Sequence, residues 1–149
     1  MKLRQLFLAT SLLCFANMAL ADLEAWTDYD IGESISNVTT VKVDSNMIDK
    51  YLEGLSKTWA PANEVAIKLG QMESYSIFVS TLANSGDFNV ILVTRFANAD
   101  ALQPRKDDYD AFMKEWGEEN QATNDEIVPT YPGIREIVGE YNVREITLK

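Results

Sequence analysis

The sequence predicts an α+β fold in which a four-stranded antiparallel sheet carries its helices on one face. Three observations lead there. Apolar residues recur at helical spacing from Ile48 to Leu69, the period changes to two between Tyr75 and Phe96, and the element order reads strand, helix, strand, strand, helix, strand.

The elements follow in order. Ser34 to Asp44 alternates, with Ile35, Val41 and Val43 on one parity, and is expected to be the first strand. Asp44-Ser45-Asn46 offers caps to a long helix whose apolar face runs through Tyr51, Leu55, Trp59, Ala62, Ala66 and Leu69. Glu53 with Lys57 and Glu64 with Lys68 form i,i+4 pairs on its opposite side, in the favourable order. Pro61 is expected to kink this helix, because it removes a backbone donor and crowds the carbonyl four residues earlier, and Gly70 to end it. Tyr75, Ile77 and Val79 then alternate with Ser76, Phe78 and Ser80, Ala83 to Asp87 supplies turn chemistry, and Phe88 to Phe96 returns as the second arm of a hairpin.

Within that returning strand Val90, Ile91, Leu92 and Val93 are apolar on both parities. An antiparallel sheet with water on one side alternates cleanly, so this strand is expected to be covered on both faces. Asn98 or Asp100 caps a short turn leading to Pro104, and Tyr109, Phe112, Met113 and Trp116 mark the inner face of a second helix that stops at Gly117. The acidic run EENQATNDE reads as a link; Thr123 to Glu126 fits a capping box, but Pro129 and Pro132 leave room for only a turn or two of helix. Ile134 to Gly139 reads as a last helical turn and Tyr141 to Leu148 as a closing strand.

At the N-terminus, Lys2 and Arg4 precede an apolar run from Leu6 to Ala16, and Ala19-Leu20-Ala21 has the small-x-small pattern of a signal-peptidase site. The run falls short of the roughly 20 residues that cross a bilayer, so a cleaved leader is expected and not a stable membrane anchor. The division is then a leader over 1–21, an N-terminal arm over 22–37 and a single domain over 38–149, exported to the periplasm or secreted. Of 13 basic and 23 acidic residues the leader takes two basic ones, so the exported part keeps 11 against 23, a net charge of −12. Such a chain is repelled by phosphate backbones, which argues against nucleic acid as a partner.

There is no histidine, and the one cysteine, Cys14, leaves with the leader. The usual ligands for zinc, copper and haem are therefore missing, as are Ser-His and Cys-His nucleophile pairs, and no metal or cofactor is expected. Any catalysis would run on Asp, Glu, Tyr, Lys or Arg. The acidic run around Asp107, Asp108 and Asp110 lacks the glycine and distal glutamate of a calcium loop and reads as a solvated helix start, where carboxylates suit the helix dipole.

The strand–helix–hairpin–helix–strand order makes a ferredoxin-like βαββαβ layer. The stretches SNMIDKYLEGLSKTWAPANEVAIKLGQMESYSIF, NVILVTRFANADAL and REIVGEYNVREI resemble the dimeric α+β barrel superfamily, and within it small secreted proteins of unassigned function; the likeness spans residues 38 to 148. It implies a homodimer whose two sheets pack face to face, supplying the second cover for the doubly apolar strand. The superfamily includes cofactor-free monooxygenases, haem-degrading enzymes and cyclases; its haem-using members depend on a histidine that is missing here.

Trp59, Asn63 and Tyr75 are candidates to line a pocket between the long helix and the sheet, against the plainer reading that Trp59 is core packing. Trp116, Phe112 and Tyr109 have the same two readings. Arg95 shares parity with Ile91 and Val93, so it either faces a ligand carboxylate or pairs with an Asp or Glu at the strand end. Two functions follow: a non-enzymatic exported homodimer binding a small, partly apolar ligand, or a cofactor-independent monooxygenase- or cyclase-like enzyme that uses these residues to orient an aromatic or polyketide-like substrate.

Overall fold

Alternation builds the first long strand, and helical periodicity the layer above it. The computed structural model describes residues 22–82 and 86–149; the expected leader over 1–21 lies outside them. In chain order the elements are β1 (Tyr29–Ile31), β2 (Ile35–Val43), α1 (Ile48–Lys57), α2 (Trp59–Lys68), β3 (Ser74–Val79), β4 (Val90–Phe96), α3 (Lys106–Ile127), β5 (Arg135–Val143) and β6 (Ile146–Leu148). Single 3₁₀ segments cover Ala99–Leu102 and Val128–Gly133.

The main sheet has the order β3-β4-β2-β5, every neighbouring pair antiparallel. Its first strand therefore lies between its third and fourth, which is the ferredoxin-like arrangement of two split βαβ units. One sheet face packs Val41, Val43, Val90 and Leu92 against Tyr51 and Leu55 of α1 and against Tyr131 and Ile134, forming the core. Full burial of each such aliphatic side chain stabilises the fold by roughly 1.5–3 kcal/mol.

The predicted long helix is two helices. The break falls at Thr58 (φ −125°, ψ −74°), upstream of Pro61. A continuous helix would drive the proline ring into the Lys57 carbonyl; breaking at Thr58 places Pro61 in the first turn of α2, where a missing N–H costs nothing. Thr58 is buried, and its hydroxyl donates to the Gly54 carbonyl at 3.0 Å. At the other end α2 closes as a Schellman motif: Gly70 sits at φ 69°, its N–H donating to the Ile67 carbonyl and that of Gln71 to the Ala66 carbonyl, both at 2.9 Å. The expected cap of α1 by Asp44, Ser45 or Asn46 does not form. These residues make a turn, with Asn46 at φ 64°, and Met47 holds the cap position without a side-chain hydrogen bond.

Helix α3 corrects the sequence reading in three ways. Gly117 breaks it at φ 75°, ψ 166°, but helical turns resume and run to Ile127. Thr123 is inside these turns, its hydroxyl donating back to the Glu119 carbonyl, so it caps nothing. Tyr109, expected on the inner face, is 63% exposed, whereas Trp116 is buried. Further on, Ile134 to Gly139 is not helical. Ile134 closes the 3₁₀ segment, and β5 begins at Arg135.

Strand β5 pairs along β2 with one irregularity: Thr40 faces Gly139 and Val41 faces Ile137, which leaves Val138 as an extra residue in a β-bulge. The closing strand expected over 141–148 is divided at Arg144 and Glu145, and β6 pairs with β1 of the arm instead of the main sheet. The arm is thus tied to the chain's last strand, with Gly32 N–H donating to the Glu145 carbonyl at 2.9 Å and Lys149 pairing with Asp30 at 2.8 Å. Because β2 opens at Ile35, the last residues of the span read as arm belong to the sheet.

Directly opposed residues of an antiparallel pair share a face. Val38, Val93, Ser76 and Tyr141 therefore stand together on the face away from the helices, beside Ile91 and Phe78, with Arg95 and Val143 at one end. Phe78, Tyr141 and Val143 are about half exposed there.

Candidate functional site

The shift from helix to strand at Gly70 opens a cleft. The Schellman turn ends α2 just short of the sheet, and the chain crosses through Gln71 and buried Met72 before β3. On the far side the segment from Ala101 to Lys106 and the first turns of α3 approach the end of β4. Between them lies an open cleft of about 820 Å³, its apolar wall formed by Leu69, Met72, Phe96 and Phe112, with Asn63, Gln71 and Thr94 as polar members.

The wall between α2 and α3 is held by polar ties. Gln71 Nε2 donates to the Asp108 carbonyl at 2.8 Å, and Lys68 pairs with Glu115. At the mouth Arg105 lies 3.6 Å from the Asp108 carboxylate and donates to the Asp100 carbonyl, while Lys106 pairs with Asp110. These cations are already neutralised locally, so the rim carries no unpaired positive charge with which to draw in an anion. The approach to the rim is set by Asn98, whose side chain accepts from the N–H groups of Asp100 and Ala101 and so starts the 3₁₀ turn as the sequence implied.

Of the residues weighed from sequence, Asn63, Tyr109 and Phe112 line this cleft, and Trp59, Tyr75, Arg95 and Trp116 do not. It is buried, and its Nδ2 donates to the Trp59 carbonyl one turn earlier at 2.7 Å. Trp59 and Tyr75 meet behind it as an edge-to-face pair with centroids 5.3 Å apart. The Tyr75 hydroxyl donates to Glu64 Oε1 at 3.1 Å, and burial, followed by that carboxylate, raises its pKa. Trp116 is buried and stacks on Phe112 at 6.0 Å. Arg95 is on the other side of the sheet, paired with Glu73 at 3.3 Å beside a smaller hollow that Arg144 and Glu145 also line. Arg95 and Trp59 therefore do not converge on one site. Gln71 and Met72 were not singled out as site residues from sequence, whereas Phe112 and Tyr109, read there as either packing or pocket lining, both line the cleft; the further signal that marked the place was Gly70, the helix end that leaves the gap.

A second polar cluster lies in the core beside α1 and Thr58. Tyr131 shares a 2.7 Å hydrogen bond with Thr58, meets Tyr51 edge-to-face at 5.2 Å, and is covered by the Arg135 guanidinium 5.5 Å from its ring centre. Burial raises the pKa of both phenols, and the Arg135 charge offsets part of this, so both remain protonated and hydrogen-bonding at neutral pH. This cluster fixes the packing of α1 and opens onto no large cavity.

Among the described residues no group of acidic or sulfur side chains is arranged to hold a metal ion, and no helix is long and apolar enough to cross a membrane.

No protein-family model matches the chain, and no curated protein does. Solved structures resemble it at low identity. A protein from Shewanella oneidensis superposes with a TM-score of 0.49 at 15% identity, over 80% of this chain and 99% of its own. HapK from Hahella chejuensis does so with a TM-score of 0.46 at 11% identity, over 74% and 91%. A Bacteroides fragilis protein described as dimeric, ferredoxin-like and of unknown function gives 0.42 at 11%, over 78% and 98%.

Proposed function

We propose that this protein is an exported homodimer that binds a small, partly apolar molecule in the cleft between α2 and α3. The observation that carries the binding reading is the cleft itself, an open volume of about 820 Å³ with an apolar wall and a few inward polar groups, which is the make-up of small-molecule sites. Supporting the homodimer is the helix-free sheet face, where Phe78, Ile91, Val93, Val38 and Tyr141 form one apolar surface. A second copy laid face to face would remove that surface from water, and a self-complementary pairing closes at two. Export rests on the leader-like first 21 residues.

The enzymatic alternative, a cofactor-independent monooxygenase or cyclase, is supported by the same open cleft. It is weakened because Trp59, Tyr75 and Arg95 do not line it. Native mass spectrometry of the protein purified from its own compartment without refolding tests the binding reading. A retained small molecule, displaced when Met72 or Phe112 is replaced by a bulky residue, is expected; a cleft that takes up neither native ligand nor any aromatic probe would refute it.

A further inference from the structure

The arm and the chain's last strand form a ribbon that overhangs the main sheet. Strands β2 and β5 pair as far as Ser36 and Val143, and the chain pairs again as β1 and β6, with Ile31 opposite Ile146 and Tyr29 opposite Leu148. Gly32 to Ile35 separate the two ladders on one side and only Arg144 and Glu145 on the other, so the ribbon is a kinked continuation of the β2–β5 pair. Strand β4 follows β2 no further than Ile35, and among the described residues neither β1 nor β6 packs extensively on any element but the other. Directly opposed residues, and residues two apart along a strand, share a face, which gathers Tyr29, Ile31, Ile146 and Leu148 on one side of the ribbon and leaves Asp30 and Thr147 on the other. Ile146 is 49% and Leu148 70% exposed. At the ribbon's end stands Trp26, also largely exposed, its N–H donating to the Tyr29 carbonyl at 2.7 Å and its carbonyl accepting from Lys149 Nζ at 2.8 Å.

A two-stranded ribbon is marginal by itself and holds its shape by packing an apolar face on something larger. We infer that this face packs on a second copy of the chain, each ribbon clasping the other protomer at the end of the paired sheets. This rests on the homodimer reading above and adds a second contact to it. Continuity assigns the occupant. Ser36, Arg95 and Val143, at the end of the helix-free face, line a hollow of about 330 Å³ together with Gly32, Glu33 and Glu145 at the root of the ribbon, so the ribbon borders the surface on which a second copy would lie. A two-fold pairing that covers one ribbon covers the other with the same residues, and the assembly closes. Asp28, Asp30, Glu33 and Glu145, in and around the ribbon, oppose an anionic lipid surface in that place.

The experiment compares the mature protein with a variant carrying Ile146→Ser and Leu148→Ser, two side chains exposed in the protomer, and with Ile91→Glu, which breaks the sheet contact. Sedimentation gives the dissociation constant, and amide exchange followed by NMR reads residues 29–31 and 146–148. The serine variant is expected to dissociate at least about thirtyfold more readily, because two apolar side chains on each protomer lose their burial. The ribbon amides of the parent should exchange at least about tenfold more slowly in the dimer than in the Ile91→Glu monomer, a readout that stands even if the serine variant does not fold. Dilution of the parent supplies the monomer if Ile91→Glu does not fold. A dissociation constant unchanged by the serine pair, or ribbon amides that exchange alike in dimer and monomer, overturns the clasp and leaves the sheet-to-sheet pairing standing. Ribbon protection that arises only on adding phosphatidylcholine vesicles assigns the face to lipid and overturns the clasp as well. A parent that is monomeric at the concentrations of the NMR experiment overturns the clasp and the homodimer reading together.

Discussion

Gly54→Ala should destabilise the protein, against the ordinary expectation for a helix interior. Exchanging glycine for alanine within a helix usually stabilises by about 0.5–1 kcal/mol, because the glycine backbone loses more freedom on folding. Here a Cβ would stand 2.8 Å from Tyr131 Cε1 and 2.9 Å from its hydroxyl. The ring has little room to retreat, since it is buried, bonded to Thr58 at 2.7 Å, set edge-on to Tyr51 and covered by Arg135. Overpacking of this kind costs about 1–3 kcal/mol, and loss of the Thr58–Tyr131 hydrogen bond adds about 1 kcal/mol. Set against the helix gain, the net loss is about 1–3 kcal/mol. Urea unfolding at fixed protein concentration reads it as a midpoint lowered by up to about 1.5 M, for a slope near 2 kcal/mol per M. A double-mutant cycle with Tyr131→Leu isolates the cause, because removing the ring should let the alanine stabilise. A Gly54→Ala protein as stable as the parent, or a cycle with no coupling, would refute the reasoning.

Other outcomes follow from the same geometry. Gly117→Ala meets no neighbour but must hold a backbone conformation open essentially to glycine alone, and is expected to lose about 1–3 kcal/mol in the same assay; an unchanged midpoint would show that the helix rejoins without strain. Ile91→Glu, on the helix-free face, should weaken self-association at least about a hundredfold, since a carboxylate replaces a side chain whose burial stabilises by about 1.5–3 kcal/mol. Light scattering at micromolar concentration would show a monomer, and a parent protein that is itself monomeric would defeat the pairing. The pKa values of Tyr51, Tyr75 and Tyr131 are raised from 10.0, chiefly by burial, so the unfolded chain loses these protons first. Their contribution is fully present below pH 10.0 and is lost as pH rises through the folded values; stability should fall above that pH, less steeply in Tyr131→Phe, and tyrosinate absorbance that precedes unfolding for all six tyrosines would contradict it.

Where a single pattern covered a whole element, the sequence was enough. The antiparallel pairing of β3 with β4 followed from alternation on both sides of the expected turn, whose residues 83–85 lie outside the described ones, and the buried stripe of α1 from Tyr51 and Leu55. The second half of α3 was hidden because residues 118–126 are polar on every side, so no apolar period marks them; they are helical through backbone hydrogen bonds and their junction with the Val128–Gly133 turn. Strand β5 was misread in part because the bulge at Val138 breaks alternation, putting Ile134 and Val138 at a helical spacing. Three-residue strands such as β1 and β6 carry no detectable period. The cleft was least legible. Asn63 on α2 and Tyr109 and Phe112 on α3 could be picked out, but Gln71 and Met72 come from a turn and a crossing that only tertiary packing brings to them.

The bulge at Val138 also bears on how far assembly can go. Edge-to-edge polymerisation of a sheet needs two regular rims, each presenting a row of unpaired N–H and C=O groups. Strand β3 has a regular rim, but along β5 the extra residue throws the backbone groups out of step and adds local twist. A growing filament would stall at that rim in every subunit, so one irregular residue helps keep an acidic, grease-faced molecule from extending into fibres.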